Sequence, residues 1–205
     1  TASYPSSRPS SFAPDAKLGR SSSVIVTVEE TIASSGDDGF YDDMTFDNDG
    51  VYLEVNYDGI MMTARHSFFR FTGVAIPQGT SISTATLALK VYEDATSAFE
   101  MEVSGEDSDD TSAYTNQPDA SGYSATTATV AWTGDAAWDA GDTATSPELK
   151  TIIQEILDRG GWSSGNDLTL QLQYNGLSGG DESFKFKTYD DSASVAAVLT
   201  IQYSV

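Results

Sequence analysis

The chain has no cysteine among its 205 residues, so no disulfide holds it together and no thiolate can ligate a metal. That absence does not choose between a reducing and an oxidising compartment. Histidine is nearly absent as well: His66 is the single imidazole. A Ser–His–Asp triad would have to use it, and no nucleophile-elbow sequence accompanies it. Its place beside a bulky strand reads as a surface or edge position. With soft ligands this scarce, a transition-metal site is excluded in favour of hard oxygen ligands. No run approaches the roughly 18 apolar residues of a membrane helix. No charged n-region with an apolar h-region opens the sequence, so either a signal was removed before residue 1 or export does not use one. Positive charge is also scarce. Ten Lys and Arg stand against 31 Asp and Glu, for a net charge of −21. Nucleic acid and anionic lipid are poor partners for such a body, because phosphate contacts need a basic patch. Neither nucleic-acid binding nor membrane insertion is expected.

What is present is alternation. Residues 24–30, 51–57, 84–93, 98–106, 127–132, 168–174 and 195–203 each place apolar side chains at every second position, the pattern of a half-buried strand. Residues 66–71, His-Ser-Phe-Phe-Arg-Phe, are bulky on both faces: Phe69 and Phe71 on one, Phe68 and Arg70 on the other. The successive segments 84–93 and 98–106 read as an antiparallel pair, and Asp58-Gly59 as a tight turn. One stretch breaks the period. Leu149, Ile152, Ile153, Ile156 and Leu157 fall at helical spacing. Ser146 and Pro147 suit the start of a helix and Gly160 its left-handed cap. The expectation is an all-β fold: an antiparallel two-sheet β-sandwich with one amphipathic helix at about residues 147–159.

Residues 1–23 differ in kind. They hold three of the six prolines and eight serines, with Arg8, Lys17 and Arg20 against Asp15 alone. That segment carries +2 and leaves −23 on the remainder. It cannot build a core of its own. The predicted organisation is an extended N-terminal arm over 1–23 and a single sandwich domain over 24–205. Tyr4, Phe12 and Leu18 are the arm's anchors, and Arg8, Lys17 and Arg20 orient it. It lies either across its own acidic body or on a neighbour.

Part of the chain has a familiar pattern. Residues 68–93 read FFRFTGVAIPQGTSISTATLALKVYE, and residues 105–110 read GEDSDD. Ala131-Trp132 ends a strand, then residues 146–172 read SPELKTIIQEILDRGGWSSGNDLTLQL and residues 198–203 close with VLTIQY. This resembles a family of jelly-roll modules found in secreted bacterial proteins and in virion proteins of tailed phages. The resemblance covers roughly residues 68–205. It implies the fold and a role as an accessory, carbohydrate-binding-like module or as a structural part of a virion. It carries over no catalytic motif.

Three kinds of site are weighed. Paired carboxylates could serve a glycosidase, but with 31 acidic residues pairs arise by chance, and the chain is read as a non-enzyme. Asp47 and Asp49 open an Asp-x-Asp-Gly loop, and Asp107 and Asp109 lie in a second acidic cluster. These are candidate Ca²⁺ ligands, although the distal glutamate of an EF-hand is missing. No cofactor is required by this reading; a structural Ca²⁺ is the candidate. Solvated turn aspartates are the plainer account. For a glycan, Trp138 and Tyr114 are candidate stacking platforms, while Trp132 and Trp162 read as core or helix-packing residues.

Two functional readings follow. The first is a non-enzymatic structural protein on the surface of a tailed-phage virion, a head decoration, cement or tail-associated component. It would self-associate or dock on a larger assembly, capsid or tail, through the arm. The second is a secreted or cell-surface carbohydrate-binding module. Neighbouring capsid genes would favour the first, and a glycoside hydrolase in the same chain the second.

Overall fold

The computed structural model describes residues 23–58, 63–98, 100–175 and 182–205. The expected arm through residue 22 lies outside the described residues, as do Gly59 of the expected turn, residues 60–62, Phe99 and the 176–180 loop.

Twelve strands and two helices are present among the described residues. They are β1 (Ile25–Thr31), β2 (Asp38–Tyr41), β3 (Phe46–Asp47), β4 (Tyr52–Asp58), β5 (Thr63–Val74), β6 (Ile82–Lys90) and β7 (Glu100–Glu106). Then follow α1 (Gln117–Ser121), β8 (Ala125–Thr133), β9 (Thr143–Thr145), α2 (Lys150–Leu157), β10 (Asn166–Tyr174), β11 (Glu182–Lys187) and β12 (Val198–Ser204). The strands form two antiparallel sheets. The smaller runs β1-β12-β6-β9 and the larger β11-β4-β5-β10-β7-β8, with the β2–β3 hairpin joined to β5. The fold is an all-β sandwich, as the alternation implied.

The period-two pattern builds the core directly. Leu87 and Leu89 of β6, Leu199 and Ile201 of β12, Phe69 and Phe71 of β5, and Leu168, Leu170 and Leu172 of β10 are all buried in one cluster. Burying such a side chain is worth roughly 1.5–3 kcal/mol. Trp132 and Trp162 are core residues, 3% and 2% exposed, and the Trp162 indole N–H donates to the Ile76 carbonyl at 2.9 Å.

Three expectations are corrected. The first is that β6 and β7, consecutive in sequence, do not pair: β6 lies between β12 and β9, and β7 between β10 and β8, in different sheets. Alternation specifies a face, not a partner. The second concerns loops. The acidic stretch after β1 contains the β2–β3 hairpin, and the polar stretch after β7 contains α1. Asn116 caps α1 through its side-chain carbonyl, which accepts the Asp119 N–H at 3.0 Å.

The third concerns the long helix. Its stripe is as expected: Leu149, Ile152, Ile153, Ile156 and Leu157 are fully buried. It packs on β8, β7 and β6 and so bridges the two sheets. But it begins at Lys150, because the residues before it continue along the edge of β6. The Ser146 N–H donates to the Leu87 carbonyl at 2.8 Å, and the Leu149 N–H to the Ala85 carbonyl at 2.8 Å. Ser146 Oγ accepts from the Leu87 N–H at 2.9 Å and is no helix cap. Glu148 instead accepts the Lys150 N–H at 3.0 Å and also the Ala85 N–H at 2.6 Å. Gly160 is not left-handed; Asp158 ends the helix in a right-handed conformation. The flanks of the helix are tied to both sheets. Gln154 accepts the Ile82 N–H at 2.9 Å, and Glu155 accepts the Thr127 and Ala128 N–H groups of edge strand β8 at 2.6 and 2.8 Å.

Candidate functional site

The outward face of the large sheet carries a second, mostly polar layer. Alternation along β5 turns Phe69 and Phe71 to the core, so His66, Phe68 and Arg70 point the other way. Along β10, Thr169, Gln171 and Gln173 do the same. On an open sandwich face these positions would be wet. Here Thr169 and Gln171 are 1% and 0% exposed. The β2–β3 hairpin and residues 107–124 cover them. Phe68, Tyr41, Tyr114 and Ala120 form a small apolar cluster under this cover, with Phe46 and Tyr123 packed against it. Opposite Phe68 in the ladder stands Gly39, where a Cβ would come within 2.9 Å of the Asn48 Cα and 3.0 Å of the Phe68 ring.

The buried polar groups of this layer are paired with one another, as burial requires. The Tyr41 hydroxyl donates to Gln171 Oε1 at 3.0 Å. Gln171 Nε2 donates to the Tyr114 hydroxyl at 3.1 Å and to the Ala120 carbonyl at 3.2 Å. The Tyr114 hydroxyl donates to Glu106 Oε2 at 2.8 Å. Tyr123 and Ser104 share a hydroxyl contact of 2.8 Å. Burial raises the Tyr41 and Tyr114 phenols and the Glu106 carboxyl above their ordinary ranges.

Two arginines on β5 fasten the cover. Arg70 pairs with Asp37 at 2.6 Å and with Asp167, and its Nε donates to the Thr111 carbonyl at 3.1 Å. Arg65 pairs with Asp42 at 3.1 Å and with Glu54. Burial pushes the Asp42 carboxyl up, but the Met44 and Thr45 N–H groups and Arg65 outweigh it and hold the group below the ordinary aspartate value.

At one end of this layer is a recess of about 200 Å³. Its wall includes Tyr41, Asp43, His66, Gln117, Tyr123 and Gln173. Tyr41 and His66 meet with ring centroids 5.4 Å apart and planes tilted by 44°. His66 Nδ1 is buried and has no hydrogen-bond partner among the described residues. Burial lowers the His66 pKa, partly offset by the Asp43 and Asp42 carboxylates, so the ring is neutral near neutral pH. His66 is thus a half-buried residue of an inner strand, β5, and not an edge residue.

The residues expected to form sites are placed as follows. Tyr114 is 7% exposed and sits inside the layer, so its faces are not a platform. Trp138 is half-buried: its ring packs on Phe184, Trp132 and Phe186 with centroids 5.1, 6.1 and 6.2 Å away. The expected exposure of Trp138 gives way to that packing, because its loop folds back with the Ala95 N–H donating to the Trp138 carbonyl at 2.8 Å. Asp107 and Asp109 both face Arg159, Asp109 at 2.8 Å. A cation already occupies that cluster, and it is a side chain. Asp47 accepts the Gly50 and Asp49 N–H groups at 2.8 and 3.3 Å, and Asp49 is exposed. Among the described residues no group of three or more histidines and acids has the arrangement to hold a metal. Tyr4, Arg8, Phe12, Lys17, Leu18 and Arg20 lie outside the described residues.

The recess residues Gln117 and Gln173 were not singled out from the sequence. The one available signal was a strand polar face carrying Thr169, Gln171 and Gln173 without a charge among them.

No protein-family model matches this chain, and no curated protein matches it.

Proposed function

We propose that the chain is a non-enzymatic structural protein that docks on a larger protein assembly through residues 1–23, with the sandwich as a rigid acidic body. The observation that supports this most is the partition of positive charge. Seven of the ten basic residues lie at position 65 or later. Five of those seven, Arg65, Arg70, Arg159, Lys185 and Lys187, form ion pairs within the body. Lys90 donates to the Thr143 hydroxyl at 2.5 Å. The body therefore presents an excess of carboxylates, and the remaining basic groups are Lys150 and the arm's Arg8, Lys17 and Arg20. Opposite charges on arm and body steer association, while Tyr4, Phe12 and Leu18 supply apolar anchors. The resemblance of residues 68–205 to virion jelly-roll modules supports the surface of a tailed-phage particle as the assembly, in a decoration or tail-associated role.

The test is deletion of residues 1–20. The expected result is a protein with the far-UV spectrum and cooperative melting of the full chain that no longer assembles or attaches. Normal assembly, or loss of the fold with the arm, would overturn this reading.

A further inference from the structure

The recess beside His66 is lined mostly by polar and aromatic side chains. Several of its donors are engaged inside the fold. The Tyr41 hydroxyl donates to Gln171 at 3.0 Å, Gln117 Nε2 donates to the Ser121 hydroxyl at 3.0 Å, and the Tyr123 hydroxyl lies against Ser104 at 2.8 Å. Gln173 Nε2 points to the Tyr41 hydroxyl at 3.5 Å. Groups that can accept are among the lining residues: the exposed Asp43 carboxylate and the side-chain amide oxygens of Gln117 and Gln173. Asp43 makes no hydrogen bond or ion pair among the described residues. His66 Nδ1 is buried and has no partner among the described residues, so it does not itself open on the recess. The rings of Tyr41 and Tyr123 add two π-faces, which attract cations. The nearest guanidinium, that of Arg65, is held by Asp42 and Glu54. At about 200 Å³ the space is smaller than the roughly 300–1,000 Å³ of clefts for drug-sized ligands, so it suits a single head group.

We infer that this recess is a receptor for one ammonium or guanidinium head group, the end of a lysine or arginine side chain. A head group made only of donors complements the Asp43 carboxylate, and its charge suits an acidic body. An anion would meet Asp43 and Asp42 with no Lys or Arg among the described lining residues. Residues 1–23 hold three of the ten basic residues, so the head group is assigned to Arg8, Lys17 or Arg20 of this or a second copy. That last step rests on the function proposed above; the chemistry of the recess does not.

His66 is the sole imidazole, so its ring signals in an NMR spectrum report on the recess without assignment of the rest. Full-length protein is titrated with N-acetyl-arginine amide, N-acetyl-lysine amide, N-acetyl-glutamate amide and glucose. The same series is run on a full-length Arg8→Gln, Lys17→Gln, Arg20→Gln variant, in which the arm cannot compete. The expected result is a saturable shift of the His66 signals by a cationic compound in at least the variant, weakened about tenfold by adding Asp43→Asn. Asp43 is exposed, so that substitution leaves the fold intact. Tighter binding in the variant than in the natural chain identifies the arm as the usual occupant. Equal binding keeps the receptor and assigns the head group to another source, whatever the deletion experiment gives. No saturable shift in either chain, or an equal shift by glucose or the glutamate compound, overturns the inference.

Discussion

Phe68 meets Tyr114 edge-on, with ring centroids 5.1 Å apart and planes at 73°, on the opposite side of β5 from Phe69 and Phe71. One strand therefore feeds two apolar clusters. The inner one holds the sandwich together, and the outer one seats the cover that forms the recess. Phe68→Ala empties the outer cluster and Phe69→Ala the inner one. Each is expected to cost about 3–5 kcal/mol. They differ in what loosens. Phe68→Ala should lose amide-exchange protection first in residues 107–124, and Phe69→Ala across both sheets. Identical exchange patterns would mean that the outer layer is not a separate unit.

Arg70 ties three segments together through Asp37, Asp167 and the Thr111 carbonyl. Its side chain is 17% exposed and that of Asp37 6%. Arg70→Met keeps the stem but leaves Asp37 buried without its partner. The expected loss is about 3 kcal/mol, read from urea unfolding. Arg70→Met with Asp37→Leu should recover much of it, since the stranded charge is gone. A double variant no better than the single one would locate the cost elsewhere.

Helix α2 lies close on β7. A Cβ at Gly105 would come 2.7 Å from Ile156 Cδ1 and 2.9 Å from Ile152 Cγ2. Gly105→Ala is expected to cost about 1–3 kcal/mol by overpacking. Ile153→Asp puts a charge on the buried stripe and should cost a few kcal/mol more, measured as a fall in melting temperature. An unchanged melting temperature for Ile153→Asp would contradict the seat of the helix between the sheets.

Asp38 is 1% exposed; its Oδ2 accepts the Tyr189 N–H at 3.0 Å and its Oδ1 has no partner among the described residues. Burial pushes its carboxyl up to about 7, against the Tyr189 hydrogen bond and with help from Asp190 and Asp37. The folded state thus binds this proton more tightly than the unfolded chain. The stability it contributes is full below the ordinary value of 3.8 and is lost as pH rises through about 7. Asp38→Asn cannot ionise. Its melting temperature relative to the natural chain should therefore rise between pH 5 and pH 8. A constant difference over that range would show that Asp38 does not titrate in this way.

The faces of the strands were legible in the sequence, and their partners were not. The alternation of Leu168, Leu170 and Leu172 named the inner face of β10, and the stripe from Leu149 to Leu157 named the buried face of α2. Pairing depends on contacts far apart in the chain, which is why β6 and β7 looked like neighbours. The helix start was misplaced for a related reason. Ser146 has the chemistry of a cap, but the Leu87 N–H reaches it first. Tyr114 and Trp138 looked like stacking platforms because their partners, Gln171 and Phe184, are distant in sequence. The aspartates of the second acidic cluster looked like metal ligands because nothing local shows that Arg159 will arrive between them. The recess is assembled from β2, β5, α1 and β10 with the loops that follow β2 and α1, so no single stretch of sequence carries it.

The central claim is that residues 1–23 reach beyond their own sandwich. The direct measurement places a photo-crosslinking residue at Phe12 in a full-length chain, mixed with an isotopically heavy copy and assembled on its particle before irradiation. The account expects links from position 12 to a chain of the other isotope or to a different protein of the particle. Links confined to the same chain would contradict it.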